Sequence, residues 1–287
     1  MRKLISILFL CFMAAASAQL DSGKWLLVDG IYEVGWCTEA SQASVANNTL
    51  TLTTVYGATT CQGHSLNYIV GAVISTPFSF TYGKVVVVGK FAPKGVHSTI
   101  WMWGGAPGTS GYPQTCIAAI RAHGDYMGSC MTDMRYAYEI DIAELMPGNT
   151  NGLQTLGNNT HIWRNRGGVG GSNNSYNADV DLSQSFHAYE LDWSSTTLTF
   201  KMDGTTTSTI SLDAGTFNQP MFLILDQEID AWAGSIAPDR YPLMTQFQSV
   251  QVWDQNNNLI FSDTFGPLAT NATMTGNAQI TGKASLL

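Results

Sequence analysis

Glu139-Ile140-Asp141-Ile142-Ala143-Glu144 places three carboxylates on a segment that otherwise reads as a buried strand. Like charges repel and are costly to desolvate, so a fold tolerates such a cluster mainly where chemistry requires it. On a strand, side chains alternate: Glu139 and Asp141 share one face, Ile140 and Ile142 the other. Strict alternation turns Glu144 away. One extra residue, a β-bulge near Ala143, returns it to the carboxylate face. Two carboxyl groups flanking a sugar ring, one a nucleophile and one an acid/base, are the equipment of a retaining glycosidase. The alternative is a solvated acidic strand edge.

The rest of the chain also reads as strands. Apolar or alternating runs recur at residues 50–55, 84–91, 99–103, 138–143, 188–193, 198–202, 221–225 and 249–253, divided by Gly, Asn, Ser and Pro. No amphipathic helix stands out beyond residue 18. Such a pattern predicts an all-β fold, a jelly-roll sandwich of two curved antiparallel sheets with a concave substrate cleft. Asp203-Gly204, between two of these runs, predicts a two-residue hairpin. Residues 85–88 and 221–225 lack alternation, as strands covered on both faces do. Residues 104–113, 149–159 and 167–177 read as loops that shape a binding site.

Met1-Arg2-Lys3, the apolar run 4–13 and Ala16-Ser17-Ala18 have the three regions of a secretory signal. Residues 1–18 are therefore expected to be removed, giving a secreted protein, extracellular or periplasmic. No later segment has the length of a membrane span. A catalytic domain over 19–266 and a polar final strand or tail over 267–287 are expected. Without Arg2 and Lys3, 11 basic residues oppose 21 acidic ones, a net charge of −10. Such a surface repels phosphate backbones, which argues against nucleic acid as a partner. Four cysteines remain after Cys11, an even count that suggests two disulfides in an exported chain. Three pairings are possible. The set Cys37–Cys61 and Cys116–Cys130 is preferred because each pair closes one loop. The absence of any C-x-x-C spacing argues against zinc.

The carboxylate motif and its surroundings resemble the family 16 glycoside hydrolases, which carry E-x-D-x-E or the bulged E-x-D-x-x-E on a jelly-roll strand. Tyr82-Gly83-Lys84, then Phe91-Ala92-Pro93-Lys94-Gly95 and Ile100-Trp101-Met102-Trp103, are similar to one run of that family. Phe186-His187-Ala188-Tyr189 with Trp193 and Asp203-Gly204 resembles another, and the resemblance extends over residues 25–262. It implies that Glu139 is the nucleophile and Glu144 the acid/base, with Asp141 tuning Glu139. It also implies that Trp101, Trp103, His161, Trp163 and Trp232 bind substrate. Trp25, Trp36, Trp193 and Trp253 are read as packing residues. Several positions depart from the family. Ala137 and Met134 stand where many relatives place Trp, and Met102 replaces a frequent Pro. Residues 225–230 replace an apolar, Gly-ending run. Gln248 occupies the place of a calcium-binding Asp, so no cofactor is expected.

These readings imply a secreted, monomeric endo-hydrolase of β-1,3- or mixed-linkage glucan. A galactan hydrolase, a transglycosylase and a non-catalytic β-glucan-binding protein are the alternatives; the last generally lacks a catalytic glutamate that this chain keeps.

Overall fold

A computed structural model describes residues 20–30, 32–33, 35–61, 63–75, 78–105, 137–164 and 167–266. The strands in chain order are β1 (Trp25–Leu27), β2 (Tyr32–Glu33), β3 (Trp36–Thr38), β4 (Ala43–Ala46), β5 (Thr49–Cys61) and β6 (His64–Val70). They continue as β7 (Ala72–Ser75), β8 (Gly83–Lys90), β9 (His97–Gly105), β10 (Ala137–Leu145), β11 (Thr155–Arg164) and β12 (Gly167–Asn177). The last six are β13 (His187–Trp193), β14 (Thr197–Met202), β15 (Thr205–Ser211), β16 (Met221–Glu228), β17 (Leu243–Trp253) and β18 (Leu259–Asp263). Helix among the described residues amounts to three short 3-10 turns.

The strands form a jelly-roll sandwich of two sheets. One has seven strands in the order β1-β7-β16-β9-β10-β11-β12. The other has eleven, ordered β15-β14-β13-β8-β17-β5-β6-β3-β2, with β18 beside β17 and β4 beside β5. Pairing is antiparallel except between β3 and β6. Between the sheets lies one large core. Ile100, Met102, Ile140, Leu145, Leu223 and Leu225 of the first sheet meet Leu50, Val85, Val87, Leu191, Phe247 and Val252 of the second. Phe91 stacks on Tyr189 at a centroid distance of 4.7 Å.

β10 has a core face and an outer face, and a bulge switches its phase. Asp141 opposes Trp101 on β9, yet Ala143 opposes Ile100, so two steps on β10 match one on β9. On the β11 side, Asp141 opposes Asn159 and Glu144 opposes Gly157, with the same slip. Ile142 and Ala143, adjacent in sequence, both enter the core, and Glu144 joins Glu139 and Asp141 on the outer face.

A buried polar chain ties the sheets together beneath this region. Thr54 Oγ1 on β5 donates to Gln227 Oε1 on β16 (3.0 Å), and Gln227 Nε2 donates to Thr245 Oγ1 on β17 (2.9 Å). Ser98 Oγ lies 2.7 Å from Thr245 Oγ1 and accepts the Ala92 N–H. Every member has a partner, so the chain holds the start of β9 and the end of β16 in register at little desolvation cost.

Several expectations need correction. Residues 167–177 form the edge strand β12, hydrogen-bonded along β11, and β11 takes up the end of 149–159. Both faces of β12 are largely exposed, so Gly, Asn and Ser suffice and no hydrophobic alternation marks it. Residues 85–88 do alternate in burial: Val85 and Val87 are core, Val86 and Val88 half-buried. β16, by contrast, is buried at every position from Met221 to Gln227. Asp203 and Gly204 both have positive φ, as a tight hairpin requires. Trp25, Trp36 and Trp193 are buried; Trp253 carries Lys84 over its ring. The segments 1–18 and 267–287, most of 104–113, and Cys116–Cys130 lie outside the described residues.

Cys37 and Cys61 are joined by a disulfide across a sequence separation of 24, linking β3 to the end of β5. A loop of this size loses chain entropy worth about 3 kcal/mol in the unfolded state. Replacing both cysteines by Ala should lower Tm by roughly 6–12 °C in a thermal melt. A change below about 2 °C would show that the bridge adds nothing to the folded state.

Candidate active site

The outer face of the seven-stranded sheet gathers its functional groups from four strands, β9, β10, β11 and β16, and from the loop after β16. Glu139 stands between Trp103 on β9 and His161 on β11, Asp141 between Trp101 and Asn159, and Glu144 between Thr99 and Gly157. Trp163 Nε1 donates to Glu139 Oε2 (2.7 Å), and Asn159 Nδ2 donates to Glu144 Oε2. His161 Nε2 lies 3.2 Å from Asp141 Oδ2 and 4.0 Å from Glu139 Oε1. Gly157 leaves room for the acid: a Cβ there would come within 3.2 Å of Glu144 Oε2.

Burial pushes Glu139 well above the ordinary carboxyl range, reinforced by the charge on Asp141; the Trp163 hydrogen bond opposes the rise. Burial and the charge on Glu144 raise Asp141 to about 6, against the pull of His161. His161 is itself raised by its bond to Asp141, which outweighs its burial. Glu139 and Asp141 therefore each hold a proton to higher pH than a free carboxyl, because burial and a neighbouring charge both oppose ionisation. Trp163 favours charge on Glu139, and His161 favours it on Asp141.

Four residues join this face that sequence reasoning left without a role. Asp226 and Glu228 project from β16 opposite Thr99 and His97, and Asp230 follows in the next loop. Thr99 Oγ1 donates to Asp226, which burial and the Glu228 charge push well above the usual range. His97, only 3 % exposed, has Nδ1 3.0 Å from Asp230 Oδ2 and 3.7 Å from Glu228 Oε2. Its Nε2 lies 3.3 Å from Glu144 Oε1. Two signals could have revealed the group. Asp226, Glu228 and Asp230 alternate as Glu139 and Asp141 do, and His97 keeps the phase of Thr99, Trp101 and Trp103.

The aromatic candidates divide. Trp101 and Trp103, 7 % and 3 % exposed, pack edge to face within an outer apolar cluster with Ala72, Ile74, Phe222 and Ile224. They are the floor of the site, not open platforms. Trp163 lies 5.6 Å from the His161 ring and serves Glu139 by its N–H. Trp232 is 47 % exposed on the loop after β16, where its backbone N–H donates to Asp230 Oδ1. Of the expected binding residues, it is the one most open to a sugar face.

Two trios, His97–Glu228–Asp230 and Glu139–Asp141–His161, bring donor atoms within 4.8 Å of one another. In each, the histidine ring faces a carboxylate of the same trio. Gln248 is exposed on β17 and offers an amide, not a carboxylate.

A β-jelly roll that presents three carboxylates on one face of a bulged strand has the equipment of a glycoside hydrolase. Residues 124–251 match the family model described as glycosyl hydrolases family 16. Solved structures share the fold. Porphyranase B from Zobellia galactanivorans matches with a TM-score of 0.62 at 22 % identity, over 83 % of this chain and 88 % of its own. The laminarinase catalytic domain from Thermotoga maritima gives 0.63 at 20 %, over 83 % and 94 %. The κ-carrageenase from Pseudoalteromonas carrageenovora gives 0.59 at 18 %, over 80 % and 88 %. At these identities the likeness is one of fold. No curated protein sequence matches the chain.

Trp163→Phe removes the donor that favours charge on Glu139. Its proton should then be held to higher pH, so the acidic limb of the kcat/KM profile should move upward. Each unit of movement costs tenfold in rate on that limb. An unmoved limb would show that Trp163 does not control the nucleophile.

Proposed function

We propose that the protein is a secreted, retaining endo-glycosidase of a neutral β-glucan, β-1,3- or mixed β-1,3-1,4-linked. The observation that carries this reading is the common face of Glu139, Asp141 and Glu144, with Trp163 donating to Glu139 alone. In the first step Glu139 Oε attacks the anomeric carbon as the glycosidic C–O bond breaks, and Glu144 gives its proton to the departing oxygen. In the second, water attacks the same carbon, the Glu139 ester bond breaks, and Glu144 takes the water's proton. Asp141, two residues along the same face, tunes Glu139 through its charge.

The preference for a neutral polymer follows from charge. Six carboxylates, Glu139, Asp141, Glu144, Asp226, Glu228 and Asp230, stand in this region. Among the described residues their ion pairs are with His97 and His161. A sulfated galactan brings further negative charge to a face where, among the described residues, no Lys or Arg pairs these groups. Like-charge contacts of that kind cost several kcal/mol, on the order of a hundredfold in rate. Trp232 at the rim suits an uncharged sugar face. The signal-like start of the sequence supports action outside the cell; no helix of the described residues is long and apolar enough to cross a membrane.

Laminarin or lichenan should release reducing ends at least about 100-fold faster than κ-carrageenan or porphyran. NMR of the first-formed product should show the β-anomer. Glu139→Gln and Glu144→Gln should each lose at least about 10³-fold on the polysaccharide while keeping the wild-type melt. Inversion, or a sulfated polymer turned over fastest, would overturn the assignment.

A further inference from the structure

We propose that His97, anchored by Asp230, is a positioning residue for the acid/base Glu144, a fixed imidazolium that holds one Glu144 oxygen and balances its charge through both steps. This deepens the proposed function and rests on Glu144 being its acid/base.

The geometry is that of a relay with one link per ring nitrogen. Asp230 Oδ2 takes Nδ1 at 3.0 Å, and Nε2 faces Glu144 Oε1 at 3.3 Å without the alignment of a full hydrogen bond. The opposite oxygen, Oε2, is held by Asn159. Glu144 is thus gripped from β9 and β11 at once, which fixes its carboxyl plane. A single misoriented carboxyl would miss the glycosidic oxygen by a distance that matters for proton transfer.

His97 is built to remain charged. Burial opposes its charge, but its pairing with Asp230, Glu144 and Glu228 raises its pKa well above that of an ordinary histidine. The groups that face it are Glu144 from β10, Asp226 and Glu228 from β16, and Asp230 from the following loop. When Glu144 gives its proton to the leaving group, its new charge appears 3.3 Å from a cation already in place. When it takes a proton from water, that charge disappears and the imidazolium remains paired with Asp230. His97 neither gives nor receives a proton in either step.

Asp230 has a second duty that links the site to its rim. Its Oδ1 accepts the N–H groups of Trp232 (2.8 Å) and Ala233 (3.0 Å), shaping the loop that presents Trp232. The same loop is tied back to the residues after β10, since Gly148 N–H donates to the Trp232 carbonyl (2.6 Å). Rim aromatic, Asp230, His97 and Glu144 form one continuous hydrogen-bonded and ion-paired path.

The test is the pH profile of kcat/KM on laminarin for His97→Gln and Asp230→Asn, with Glu144→Gln and thermal melts as controls. Removing a cation from beside an acid makes the acid hold its proton longer, so the alkaline limb should move to higher pH. A unit charge at 3.3 Å is worth about one pH unit even at the dielectric of water. Both variants should shift that limb upward and lose about 10- to 100-fold at the wild-type optimum. A folded His97→Gln enzyme with an unmoved alkaline limb would refute the relay. Should His97→Gln fail to fold, Asp230→Asn carries the test by the same criterion. If instead Glu144→Gln keeps wild-type activity, the proposed function itself falls, and the two failures are told apart.

Discussion

Repulsion among carboxylates that share one sheet face is the constraint around which this protein is organised. Two unit charges 4 Å apart interact by about 4 kcal/mol at an effective dielectric of 20, so six acidic groups in one region need explicit counterweights. The structure supplies them one by one. His161 serves Asp141, and Trp163 serves Glu139. Asn159 and His97 serve Glu144, while Thr99 serves Asp226. Backbone N–H groups of Trp232 and Ala233 serve Asp230. On the other side of the same sheet, the apolar residues of β10 and β16 bury themselves against the eleven-stranded sheet. Their burial, at about 1.5–3 kcal/mol for a large side chain, is what makes the strained face tolerable.

The bulge couples these two faces. Without it, a five-residue spacing would send Glu144 into the core and Leu145 to the outside. With Ile142 and Ala143 both turned inward, the core gains a small residue next to a large one, and the strand bends where Glu139 and Glu144 share a face. The polar chain from Thr54 through Gln227 and Thr245 to Ser98 fixes the neighbouring strands in register. His97 and Glu228 flank that chain in sequence, so their positions follow from it.

Much of this could be read from the sequence, for reasons that particular residues make plain. Glu139, Asp141 and Glu144 announce themselves because a polar alternation sits inside an apolar strand, and Asp203-Gly204 because few residues accept its backbone angles. β12 was hidden, since an edge strand exposed on both faces carries no periodicity to detect. His97 was hidden for a different reason: its partners Glu144, Glu228 and Asp230 lie 47, 131 and 133 positions away, brought together only by the order β16-β9-β10. Trp101 and Trp103 show how little phase says about exposure. Their phase on β9 is right for the outer face, but neighbours on β7 and β16 cover them, which no local pattern records.

The central claim is that the bulged strand presents Glu139, and no other group of this crowded face, to the anomeric carbon. Trapping with a 2-deoxy-2-fluoro-laminaribiosyl substrate, followed by peptide mass mapping, tests it directly. The account requires a stable glycosyl ester on Glu139. An adduct on Asp141, Glu144 or Asp226, or turnover with no covalent intermediate at all, would contradict it.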